Sequence, residues 1–246
     1  MTEEQRIERR IREKFNKGVV KYGLIADGDK ILVGVSGGKD SLALLEFMAG
    51  RSRIFKPRFS VSAAYVKVKN VPYKSDEAYL REYASRLGVD LNVYETSFDE
   101  SSDGRHSHCF LCSWNRRKVL FAAARDLGCN KIALGHHMDD ILQTLLMNMT
   151  FQGSFSTMPP LLKMDKFDMT IIRPFCLVQE RDLQALAAFR GFRKQLEQCP
   201  YEQESHRAAM KSVLARLEEM NPEAYYSLWN SQTNVMPALL PREIIP

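Results

Sequence analysis

The residues best suited to chemistry in this chain are Ser36-Gly37-Gly38-Lys39-Asp40-Ser41. They follow the apolar run Ile31-Leu32-Val33-Gly34-Val35 and precede Leu42-Ala43-Leu44-Leu45-Glu46-Phe47-Met48. A strand, a glycine-rich turn and a helix in that order aim backbone N–H groups and a helix N-terminus at one point. That arrangement binds phosphate. Gly37 and Gly38 allow positive φ and close approach of a ligand. Ser36 and Ser41 offer hydroxyl donors, and Lys39 adds a positive charge. The spacing departs from the Walker form, which needs four residues between its first glycine and Gly-Lys. An acid directly after the lysine, here Asp40, is also foreign to that form. The bland alternative is an ordinary glycine-rich turn, and the flanking strand and helix patterns argue against it.

A second group is sulfur-bearing. The five cysteines are Cys109, Cys112, Cys129, Cys176 and Cys199. Their odd number, with no secretory signal at the N-terminus, argues against a disulfide framework. Cys109-Phe110-Leu111-Cys112 has the gap that lets two thiolates face one metal ion. A redox pair or two packed thiols fit the same spacing. Cys129, after Gly128 at a helix end, reads as structural. Cys176, in Pro174-Phe175-Cys176-Leu177-Val178, reads as a packed core thiol. His136 and His137 are adjacent rather than spaced as a helical metal pair, so they are not read as joint ligands. Asp139 and Asp140 open a helix, where a capping role competes with Mg²⁺ binding.

These groups need a frame. Short strands are expected at residues 31–35, 59–66, 91–94, 131–135 and 170–172. Helices are expected at 3–23, from 42, and at 75–87, 114–127, 139–149, 179–190, 205–220 and 222–231. Residues 97–108 read as an exposed loop, and Met158-Pro159-Pro160 as a break. Strands alternating with helices imply an α/β fold with a parallel sheet covered on both faces. The expected division is a basic helix over 1–25, a nucleotide domain over 26–180 and a helical extension over 181–246. The first helix carries Ile7, Ile11, Phe15, Val19 and Tyr22 on one face. Its other faces hold Arg6, Arg9, Arg10, Arg12, Lys14, Lys17 and Lys21. That basic surface is either a solvated helix face or a grip on nucleic-acid phosphates. A formal net charge of +5 allows a polyanionic partner without demanding one. No run of apolar residues is long enough to span a membrane, and the cytoplasm is the expected location.

The hexapeptide is similar to the PP-loop of the N-type ATP pyrophosphatases. That superfamily includes tRNA thiolases, lysidine synthetase, GMP synthetase and NAD synthetase. The resemblance implies a doubly wound, adenine-nucleotide α-hydrolase-like fold that uses ATP and Mg²⁺, cleaves ATP between the α and β phosphates, and leaves AMP on a substrate oxygen. A longer resemblance covers roughly residues 5–240. Cys109-Phe110-Leu111-Cys112-Ser113-Trp114-Asn115-Arg116-Arg117 carries it, with Ile132-Ala133-Leu134-Gly135-His136-His137-Met138-Asp139-Asp140-Ile141-Leu142-Gln143-Thr144-Leu145. Met158-Pro159-Pro160 and Ile172-Arg173-Pro174 add to it. These segments resemble the tRNA 2-thiocytidine synthetase family.

The resemblance implies formation of 2-thiocytidine in a tRNA anticodon loop. It implies a [4Fe–4S] cluster on three cysteines, two of them Cys109 and Cys112. The third is expected at Cys199, where that family usually has a second cysteine pair followed by Gly-Ser-Gln. This chain reads Cys199-Pro200-Tyr201-Glu202-Gln203, and Cys176 stays a rival. Gly135 and His136, with His137 beside it, are implied to line the nucleotide site. Lys39, Asp40, Asp139, Asp140 and Arg116 are the expected catalytic groups, with the split between the two adjacent aspartates open. Arg116 and Arg117 face either the transferred group or tRNA phosphates. Expected partners are tRNA and a sulfur donor, either a cysteine desulfurase or sulfide, and a homodimer is an open option. Two other readings compete. One is a PP-loop enzyme with an amine nucleophile, of the lysidine type or an amidating synthetase. The other is a zinc-stabilised tRNA-binding module without catalysis.

Overall fold

The computed structural model describes residues 1–70, 76–98, 108–165, 168–193 and 206–241. The chain divides into two compact units, residues 1–141 with 158–204 and residues 142–157 with 205–246. The first holds the sheet. Its strands are β1 (Lys30–Val35), β2 (Ser60–Val68), β3 (Leu91–Thr96), β4 (Lys131–Ala133), β5 (Leu161–Lys163) and β6 (Thr170–Ile172). They lie in the order β3-β2-β1-β4-β6-β5. All neighbours run parallel except β5, which pairs antiparallel with β6.

β1 is central and buried on both faces, as a parallel strand of β-branched residues should be. Ile31, Val33 and Val35 point into one core and Leu32 into the other. The first core is closed by α1 (Glu3–Lys21), α2 (Lys39–Ser52), α3 (Glu77–Arg86) and α6 (Glu180–Arg190). Phe15, Phe47 and Phe175 meet there in tilted and edge contacts, with centroids 5.7–5.9 Å apart. The second core is closed by α4 (His108–Asp126) through Phe121, Ala123 and Ala124. The expected α/β architecture with both faces covered is therefore present. In the second unit the remainder of α5 (Met138–Phe151) is joined by α7 (His206–Met220) and α8 (Ala224–Ser231).

Two differences from the sequence expectation concern the sheet and α4. β5 was not expected: it has three exposed residues after two prolines, too short for an alternating pattern. The helix expected from residue 114 begins at His108, so the cysteine pair lies inside it rather than ahead of it. The helix expected at 75–87 is α3, which buries Tyr79, Leu80 and Ala84, and Asp76 caps it by accepting from Tyr79 N–H at 3.0 Å. The expected loop at 97–108 falls largely outside the described residues.

α1 is held by polar as well as apolar contacts. Thr2 and Gln5 form a reciprocal capping box. Asp182 of α6, nearly inaccessible, accepts from Arg10 Nε at 2.9 Å and Lys14 Nζ at 3.2 Å. Arg190 of α6 reaches Glu4, Glu8 and Glu46. Two cations offered as a nucleic-acid grip, Arg10 and Lys14, thus bind the helix to its own fold. Arg6, Arg9 and Lys17 remain exposed.

Candidate active site

Strand order reverses between β1 and β4, and open α/β sheets bind ligands at the carboxyl ends of the strands flanking such a point. Val35 ends β1 and feeds residues 36–41; Ala133 ends β4 and feeds residues 134–137 and α5. The hexapeptide is held by its own serines. Ser41 Oγ donates to Gly38 O at 2.8 Å and lies 3.1 Å from Ser36 N, from which it accepts. Gly38 N donates to Ser36 Oγ at 3.3 Å. Gly37 takes φ +88°, which only glycine adopts at low cost. Gly38 does not: its φ is −72°, and it is the N-cap of α2 with no side-chain cap. A Cβ there would meet only Ser36 Oγ, at 3.5 Å. The fold itself tolerates a side chain at 38, so its absence serves close approach to the α2 N-terminus. Gly135 is the opposite case. A Cβ there would stand 3.1 Å from the carbonyl carbon and oxygen of Asp40.

The charged groups form a layered set. Lys39 Nζ lies 3.1 Å from Asp40 Oδ2 and 3.4 Å from Glu180 Oε1. Burial alone would lower the Lys39 ammonium, but Asp40 and Glu180 outweigh it and hold it above its ordinary value. Burial raises the Asp40 carboxyl, against the pull of Lys39 and His137. Asp40 Oδ1 is buried with no hydrogen-bond partner among the described residues. His137 is buried beneath the loop, and burial would lower it. Asp139, Asp140 and Asp40 outweigh that and raise it.

The two adjacent aspartates separate. Asp139 Oδ2 accepts from Glu180 N–H at 2.8 Å, at the start of α6. Asp140 Oδ2 accepts from His137 N–H at 3.1 Å, and Asp140 also reaches the cavity wall.

That cavity has a volume of about 490 Å³. Ser36, Asp40 and Ser41 line it from the phosphate loop, and Gly135, His136 and Asp140 from the β4–α5 connection. Cys112, Ser113, Arg116, Arg117 and Leu120 line it from one face of α4, at helical spacing. Of the residues expected at the site, Gly37, Gly38, Lys39 and Asp139 are not among those lining this cavity. Cys109 has its backbone in the first turn of α4; its side chain and the whole of Cys199 lie outside the described residues. Cys176 is fully buried, and burial pushes its thiol up to about 12. It lies at the α1 interface, where a Cβ on Gly18 would stand 3.1 Å from its Sγ. No group of three possible metal ligands occurs among the described residues.

Sequence reasoning assigned no role here to Glu180 or Arg173; it set His137 beside His136 at the nucleotide site, whereas His136 lines the cavity and His137 is buried. Arg173 is buried just past β6. Its NH1 donates to Pro159 O at 2.6 Å, and its Nε to His136 Nδ1 at 3.3 Å. Two signals were available: its place after an apolar strand, where a charge sits at the ligand-binding edge of the sheet, and the Ile172-Arg173-Pro174 segment of the resemblance.

The switch-point loop and the cavity define the class. Residues 3–217 match the PP-loop domain, and the chain belongs to that family. Within it, the chain is 35% identical over 236 residues to the tRNA-cytidine(32) 2-sulfurtransferase of Geobacter sulfurreducens, spanning 94% of this chain and 92% of that one. It is 37% identical over 238 residues to the tRNA-cytidine(32) 2-sulfurtransferase of Syntrophotalea carbinolica, with coverage of 95% and 92%. A solved structure, the U34-tRNA thiolase NcsA from Methanococcus maripaludis with its [4Fe-4S] cluster, superposes with a TM-score of 0.75 over 95% of this chain and 81% of that one, at 22% identity. That likeness shows a shared fold. Among the described residues, no helix is long and apolar enough to cross a membrane.

Proposed function

We propose that this chain is an ATP-dependent tRNA sulfurtransferase that converts an anticodon-loop cytidine, position 32 as in its relatives' names, to 2-thiocytidine. The observation that carries the reading is a juxtaposition: residues of the phosphate loop and Cys112 line the same cavity. The C2 oxygen of cytosine is a poor leaving group. Its attack on the α phosphate of ATP forms the O–P bond and expels pyrophosphate. A hydrosulfide sulfur then adds at C2, the C–O bond breaks, and AMP departs with the oxygen.

The α2 N-terminus and the amides of residues 36–41 suit the pyrophosphate, and Arg116 and Arg117 suit the adenylate or the flanking tRNA phosphates. Asp40 and Asp140 would hold Mg²⁺; the unpartnered Oδ1 of Asp40 fits a cation. Asp139 supports the site through the α6 N-terminus rather than by touching a metal. Cys109, Cys112 and Cys199 would hold the cluster, with the cavity-facing Cys112 the described member of that set. When bound, Mg²⁺ neutralises phosphate charge, and a cluster with three thiolate ligands offers one open iron for sulfur.

The test is anaerobic reconstitution with iron and sulfide, followed by incubation with ATP, Mg²⁺, tRNA and sulfide. A second sample replaces sulfide with cysteine and a cysteine desulfurase. Mass spectrometry of the digested tRNA should show 2-thiocytidine, and Cys112→Ser should abolish it. Pyrophosphate release coupled to an amine acceptor, or bound zinc with no ATP turnover, would overturn the proposal.

A further inference from the structure

We infer that Arg173 is a positioning residue that locks His136 as the neutral Nε2–H tautomer, so that His136 acts in the cavity as a hydrogen-bond donor to a nucleotide phosphate oxygen and not as a base. The second half of this inference rests on the ATP reading above; the first half does not.

A guanidinium carries N–H groups only and accepts nothing. Arg173 Nε donates to His136 Nδ1 at 3.3 Å. Nδ1 must therefore present its lone pair, which excludes both the imidazolium and the Nδ1–H tautomer. The ring proton is left on Nε2. The guanidinium is itself held in place. NH1 donates to Pro159 O at 2.6 Å, and the backbone N–H of Arg173 donates to Pro160 O at 2.8 Å. These bonds tie the segment before β5 to the residue after β6, so the guanidinium has little freedom to turn from the histidine.

Electrostatics act in the same sense. Arg173 is buried and forms no ion pair among the described residues. Burial, followed by the neighbouring Arg117, pushes it down to about 10, which still leaves it charged at neutral pH. A protonated His136 would add a cation to a site that already holds Arg173, Arg117 and Arg116. Asp40 and Asp140 on the same cavity wall favour a cation, but they cannot place a proton on a nitrogen already taken by a donor.

His136 lies on the cavity wall with Asp40, Ser41 and Asp140, at the carboxyl edge of the sheet. A preorganised neutral donor at that place suits the oxygen of a phosphate on which negative charge builds during adenylation.

The experiment is long-range ¹H–¹⁵N NMR of the histidine side chains in the full chain, with His136 assigned by the His136→Asn variant. The expected pattern is a protonated Nε2 and an unprotonated Nδ1 at neutral pH. Addition of ATP with Mg²⁺ should shift the Nε2–H resonance of His136. Arg173→Met should mix the two tautomers and raise KM for ATP more than it lowers kcat. A wild-type spectrum with a proton on Nδ1 would overturn the inference whether or not the variant folds. ATP binding measured by calorimetry without movement of the His136 resonance would overturn the donor role. Failure of the chain to thiolate tRNA, with the tautomer as stated and the resonance responding to ATP, would overturn the sulfurtransferase reading and leave this one standing.

Discussion

Replacing Gly135 by alanine tests whether the phosphate loop is braced from behind by the β4–α5 connection. The new methyl would stand 3.1 Å from the Asp40 carbonyl carbon and oxygen and 3.2 Å from the Ser41 nitrogen. Carbon contacts settle at about 3.5–4.0 Å and contacts to O and N somewhat closer, so one side must recede by a few tenths of an ångström. The obstructing atoms are backbone, and no rotamer change relieves them. Overpacking of this kind costs about 1–3 kcal/mol. For a chain of this size that is a fall in Tm of roughly 3–10 °C. A displacement of 1 Å in a reacting geometry costs on the order of a hundredfold, so a few tenths at Asp40 and Ser41 should cut pyrophosphate release by roughly three- to tenfold. Gly50 supplies the matched control, because it lies in α2, the helix that Asp40 and Ser41 open, and a Cβ there meets nothing within 4 Å. Gly50→Ala should leave turnover intact and raise stability by up to about 1 kcal/mol. Calorimetry and a pyrophosphate-release assay on both variants decide the matter. Wild-type Tm and turnover in Gly135→Ala would refute the bracing argument.

Asp40→Asn should lose ATP cleavage yet melt higher than wild type at neutral pH. Burial raises the folded Asp40 carboxyl above its ordinary 3.8, so its contribution is favourable below that value and is lost as pH rises through the folded one. The stability gap between variant and wild type should therefore shrink as pH falls towards 3.8, and a gap independent of pH would contradict this. Cys176→Ala should keep iron and thiolation at a packing cost of about 1 kcal/mol, whereas Cys199→Ala should lose both; iron retained in the second and lost in the first would redraw the ligand set. Arg9→Glu with Lys17→Glu should weaken tRNA binding and flatten its salt dependence at unchanged Tm, whereas Asp182→Ala should destabilise the fold by about 2 kcal/mol through the buried partner of Arg10 and Lys14. Unchanged affinity and salt slope in the double variant would leave α1 a purely structural helix.

The parts of the site readable from the chain were those whose chemistry is local. Residues 36–41 carry their own hydrogen bonds, between positions no more than five apart, and a strand before and a helix after suffice to orient them. The cysteine pair was visible for the same reason, and so were the strands and helices with strong period. β5 was invisible because three exposed residues carry no period, and the early start of α4 because its first turn lacks an apolar repeat.

Tertiary structure decided what neighbouring residues do. Asp139 and Asp140 are equivalent by position in sequence, and only the approach of α6 draws one away from the cavity. Lys39 finds Glu180 across 141 positions, and Arg173 finds His136 across 37. The strand order that brings the ends of β1 and β4 together follows from how the sheet packs rather than from any one strand's residues. The basic character of α1 was plain from its composition, but its partners were not. Charge type is a property of the residue, whereas the groups that neutralise it come from wherever the chain folds back, and here that was α6.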